Sequence, residues 1–270
     1  MWSVIKGDSR VIIMGYVAPV PEKLDWKQGR IVHALQGAKV LLVPPEPKVN
    51  IGNVFGLLRN FHSFILPSNT TLRDVLSAED YAALQALAST TESSPFLVDR
   101  LKPSAAAAVL LAIQMQTLHL STDEPVSTVK QLAKREHVPV REMSAIEVGT
   151  LVRVGKTMTE DQQISCFKSI MAEATWEAKA SAAAADEWAN GDISGLRKHR
   201  SAISKGSCLG RDAIMESLDE KMTADAVNAI LDALSQPGKT VALFDIDLLD
   251  EPNGILDRLR NAGADIRVPE

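Results

Sequence analysis

Two rhythms of hydrophobic residues run along this chain. Both ends carry short β-branched runs punctuated by turn residues, while the middle carries longer stretches with helical spacing. Trp2-Ser3-Val4-Ile5-Lys6 and Arg10-Val11-Ile12-Ile13-Met14 flank Gly7-Asp8-Ser9 and predict a hairpin. A helix is expected from Asp25-Trp26 to Leu35, ended by Gly37. Lys39-Val40-Leu41-Leu42-Val43 is short and apolar, as an interior parallel strand would be, and Pro44-Pro45 stop it. Residues 46–77 read as irregular.

From Ser77 the pattern is mainly helical. Ser77-Ala78-Glu79-Asp80 reads as a cap and first turn, Ser104 opens an alanine-rich helix to Leu120, and Val126 to His137 is amphipathic. A short strand is expected around Val138–Arg141. Thr159-Glu160-Asp161-Gln162 caps a long helix to about Asn190, ended by Gly191. Helices are expected at Ser194–Ser201, Leu209–Lys221 and Thr223–Ser235. Thr240–Ile246 reads as a strand, Pro252–Asn261 as a helix and Ala264–Val268 as a last strand.

These elements predict an α/β (α+β) fold in one domain spanning residues 1–270. Strand-rich segments 1–76 and 237–270 build a mixed central sheet, and the helical middle, 77–236, is an insertion between them. The length suffices for a large core without staples. A net charge of −5 argues against a general nucleic-acid binder. Ala105–Met115 is too short to span a bilayer. Met1 leads directly into a strand-like run, without the basic and apolar regions of an export signal.

The two ends also carry a recognisable layout. Gly7-Asp8-Ser9, Gly15, Trp188-Ala189-Asn190-Gly191-Asp192, Gly238 and Gly254, in this order of strands and helices, resemble the TraB/GumN family, which includes the Tiki-type proteases. The resemblance implies a metal-dependent hydrolase site at the ends of the sheet strands, built from two histidines and a glutamate. The matching positions here hold Ala18, Pro44 and Leu248, and Asp245 stands where the family has glycine. Gly15 is retained. A family Arg-Asn pair falls near Met222-Thr223, and a mid-chain glutamate near Glu142 or Glu147. The resemblance therefore implies a vestigial site and a non-catalytic protein that binds a protein or small ligand. An active relative is one such partner, and no cofactor is expected. It further implies export to the periplasm with a signal already removed, a cytoplasmic location being the alternative. Relatives often carry a cysteine in each of two helices, which implies a Cys166–Cys208 disulfide; two buried free thiols are the other reading.

The remaining candidates are weaker. The five histidines lack metal-ligand spacing. Glu46, Asp245 and Asp247 form a possible carboxylate cluster suited to Mg²⁺ or Ca²⁺, the basis of an alternative hydrolase or peptidase reading. The plain alternative is that Asp247 and Asp250 cap the following helix and face solvent.

Overall fold

The computed structural model describes residues 1–45, 61–91, 96, 98–145, 156–199 and 213–267. β1 (Trp2–Lys6) and β2 (Ser9–Tyr16) form the expected hairpin, with Lys6 opposite Ser9. Gly7 turns at φ +57°, a conformation open to glycine without a Cβ penalty. β3 (Val20–Pro21) pairs with β5 (Leu120–Ser121) as a separate two-stranded ribbon that the sequence reading missed. β4 (Leu41–Val43), β6 (Val140–Glu142), β7 (Gly238–Asp245) and β8 (Asp265–Arg267) complete a six-stranded mixed sheet with β1 and β2. Its order is β6-β4-β7-β2-β1-β8. β6, β4, β7 and β2 run parallel, and β1 is antiparallel to both of its neighbours. β7, from the far end of the chain, thus fills the gap between β2 and β4, so both ends build the sheet. All three residues of β4 are fully buried, as an interior parallel strand requires.

The helices are α1 (Gly29–Leu35), α2 (Leu72–Val75), α3 (Ala78–Thr90), α4 (Pro103–Thr117) and α5 (Glu124–Arg135), followed by α6 (Glu160–Asn190) and α7 (Ile193–His199). α8 (Ala213–Leu234), α9 (Ile246–Asp250) and α10 (Ile255–Asn261) come last. α6 begins and ends as expected. Thr159 and Gln162 form a capping box, and Gly191 closes the helix in the left-handed conformation at φ +80°.

Several boundaries differ from expectation, the alanine-rich helix for one ending at Thr117 and not Leu120. α1 starts at Gly29 instead of Asp25, because Trp26 is drawn into the core against Trp188, ring centroids 5.1 Å apart. The expected break at Met222-Thr223 is absent and α8 is continuous there. The Lys221–Asp225 pair, 2.5 Å apart, straddles the position, and Ala226, Val227, Ile230 and Leu234 keep one face buried. β7 stops at Asp245, and the short helix α9 intervenes before α10.

Two apolar cores result. One lies around the sheet; the other joins α2, α3, α4 and the first half of α6 through Leu72, Leu84, Leu110 and Phe167. α6 bridges them, with Phe167 and Met171 in the helical core and Ala184, Ala185 and Trp188 in the sheet core. Cys166 is buried on α6, and Cys208 lies outside the described residues.

Candidate functional site: the rim at the strand ends

Parallel strands deliver their C-terminal ends to one edge of the sheet, where crevices form in open α/β folds. Here that edge is made by Tyr16 of β2, Val43 of β4, Glu142 of β6 and Asp245 of β7. Tyr16 pairs with Asp245, and Val43 with Glu142. Ala18, Pro44, Asp245, Asp247 and Leu248 lie along this rim or just beyond it, whereas Gly7, Gly238 and Met222-Thr223 lie elsewhere. Ala18 follows β2 and is half-buried, Pro44 follows β4, and Leu248 lies in α9.

The environment of each position is informative. A Cβ at Gly15 would sit 3.0 Å from Trp2 Cζ3 and 3.2 Å from both Ile246 Cγ1 and Leu249 Cδ1. This glycine therefore makes room for apolar side chains packed over β2. Asp245 is the N-cap of α9: its Oδ1 accepts from the Asp247 backbone N–H at 2.8 Å. The following helix, α10, is instead entered through Gly254 with no side-chain cap, where the sequence reading expected Asp247 and Asp250. Leu248 is 40% exposed while its neighbour Leu249 is 1% exposed, so α9 turns Leu248 outward and anchors through the next residue.

Tyr16 is a rim residue that the motif comparison passed over. It is buried, and burial first, then the charges of Asp245 and Asp123, push its phenol above the ordinary tyrosine range. It therefore stays a neutral hydroxyl. Trp188, in a run that carries the family resemblance, also reaches this rim. Its Nε1–H donates to the Gly15 carbonyl at 2.9 Å, pinning the end of α6 to the end of β2. The only sequence signals were a tyrosine directly after Gly15 and a tryptophan within the Trp-Ala-Asn-Gly-Asp run.

The donor set does not fit the metal that the family layout implies. Ala18, Pro44 and Leu248 carry no ligand atom, and Asp245 is committed to a helix cap. Glu46 and Glu147 lie outside the described residues. Among the described residues, no three His, Cys, Asp or Glu side chains are grouped to hold a metal. The histidines are dispersed. His119 and His137 sit just past the ends of α4 and α5 at φ +52° and +58°, and His199 faces Glu187 at 4.0 Å.

The sheet and its rim make an open α/β scaffold. The model of the TraB/PrgY/gumN family matches residues 1–268, and the chain belongs to that family. No curated protein and no solved structure gives a significant match. Among the described residues, no helix is long and apolar enough to cross a membrane.

Proposed function

We propose that this chain is a non-catalytic member of the TraB/PrgY/gumN family that acts by binding a protein or a small ligand. The rim supports this reading: the positions that the resemblance assigns to ligands hold Ala18, Pro44 and Leu248, and Asp245 Oδ1 caps α9. An active relative or another protein is the partner, reached in the periplasm, with the cytoplasm as the alternative location.

The competing reading is a metal-dependent hydrolase or peptidase that has moved its chemistry to carboxylates. Its support is the placement of Asp245 and Glu142 at the ends of parallel strands. The two readings part in one experiment: metal analysis of purified protein, then a peptidase assay with added Mn²⁺ or Co²⁺. The non-catalytic reading expects no stoichiometric metal and no turnover above background. It also expects none from Ala18→His, Pro44→Glu or Leu248→His singly, because a metal held by one ligand is weak and wrongly oriented. Metal-dependent turnover by the wild type, abolished by Asp245→Asn, would establish the hydrolase.

An exported protein also accommodates a Cys166–Cys208 disulfide. Unfolding without reductant should then expose no titratable thiol, and reduction should expose two. Two thiols before reduction would reject the bond.

A further inference from the structure

One face of the sheet holds a second concavity, away from the rim. Strand pairing sets Asp265, Ile5, Arg10 and Lys239 side by side in one row, and Arg267, Ser3 and Ile12 in the next. Alternation puts both rows on the same face. α1 borders this face through Arg30 and His33 and leaves a cavity of about 710 Å³. That is the size of a small-molecule site. Arg10 and Lys239 lie six pairs along the β2–β7 ladder from Tyr16 and Asp245, roughly 20 Å away at strand rise, so the two sites are separate.

The charge in this cavity runs against that of the chain. Arg10, Arg30, Lys239 and Arg267 line it, and among the described residues no Asp or Glu does. Asp265, just beyond the lining, pairs with Arg267 at 3.2 Å and offsets that one cation. Arg10 and Lys239 meet neutral partners, and Arg30 lies near the Met1 ammonium, another cation. Arg10 Nε donates to Ser3 Oγ at 2.7 Å, leaving its two terminal nitrogens to the cavity. Lys239 Nζ donates to the carbonyls of Gln36 and His33 at the end of α1, which holds the helix to β7. Among the described residues, no salt bridge involves Arg10, Arg30 or Lys239. Three cations gathered in a concavity with no carboxylate among its described lining repel one another, and an anion there relieves the repulsion. Guanidinium groups suit planar or tetrahedral oxyanions through paired N–H donors. The floor is apolar: Ile5 and Ile12 are only half-buried, beside Trp2 and Ala34.

We infer that this cavity is a binding site for an amphiphilic oxyanion, a phosphate or carboxylate carried on an apolar body. Arg10 and Arg30 grip the charged group, and Ile5 and Ile12 receive the body. The inference holds whether or not the rim is catalytic.

The test is calorimetric titration of the purified full chain with octyl phosphate and octanoate. Inorganic phosphate and octyl glucoside serve as the charge-only and body-only controls. At least one of the two amphiphilic anions should bind one-to-one, about tenfold or more tighter than either control, and binding should weaken as salt is added. Whichever anion binds tighter identifies the headgroup. Arg30 is exposed on α1, so Arg30→Gln should keep the fold and weaken binding about tenfold, and adding Arg10→Gln should weaken it further. A substitution elsewhere on the surface, Arg260→Gln, should leave binding unchanged. The site is rejected if neither anion binds more tightly than the controls. Unchanged binding in an Arg30→Gln variant that still melts cooperatively would reject it equally.

Discussion

Trp188→Ala is expected to lower the melting temperature by on the order of 10 °C, the largest effect of any single change considered for this chain. Trp188 is 8% exposed at the end of α6 and stacks at a tilt on Trp26. Its indole N–H meets the Gly15 carbonyl at 2.9 Å. Truncating a buried tryptophan costs roughly 3–5 kcal/mol through lost transfer energy and the cavity left behind. Here it also removes the hydrogen bond fastening α6 to β2 and the support that draws Trp26 inward. Trp188→Phe separates these parts. It keeps most of the packing and loses the hydrogen bond, so it should cost only about 1 kcal/mol. Thermal unfolding followed by circular dichroism measures both. Equal, small losses for the two variants would show that the helix end is held by other contacts.

Trp188 also marks where the sequence stops being legible. The local signals are read correctly because their physics is local. Thr159 and Gln162 cap a helix through contacts three residues apart, Gly191 ends it through its own φ, and the Gly7-Asp8 turn joins adjacent strands. The apolar run Leu41–Val43 likewise reveals a buried strand without reference to its neighbours.

What fails is whatever depends on distant partners. The start of α1 is moved by the Trp26–Trp188 contact across the core. Thr223 resembles a helix start, yet α8 runs straight through it. At the site, the sequence offers Asp245 as a replaced glycine or as one of a carboxylate cluster, with no sign of a cap. Only its bond to the Asp247 N–H selects the cap. Gly15 was recognised by its place in a motif, but the crowding by Trp2, Ile246 and Leu249 comes from opposite ends of the chain. The basic cavity is invisible in sequence for the same reason, because Arg10 and Lys239 are brought together only by the register of β2 with β7.

Glu177→Gln is expected to stabilise the protein above neutral pH and to leave it nearly unchanged near pH 5. Glu177 lies on α6 between the two cores and is 2% exposed. Its Oε2 is buried without a hydrogen-bond partner, as is Oε1 of Gln114, whose Nε2 donates to the Ala174 carbonyl one turn away. Burial first, then the charge of Glu173, raises the Glu177 pKa from 4.5 to about 7. The sign follows. Between those two values the folded chain binds a proton that the unfolded chain has released, so stability falls as pH rises through this window. Glutamine keeps the shape without the charge and removes this loss. Each pKa unit is worth about 1.4 kcal/mol, and Glu173 is exposed to screening solvent, so the gain at pH 8 should be roughly 2 kcal/mol, or on the order of 5 °C. Melting curves of wild type and variant at pH 5 and pH 8 isolate the effect, since every other titrating group is common to both chains. A difference that does not change between the two pH values would mean that Glu177 ionises without cost in the folded protein.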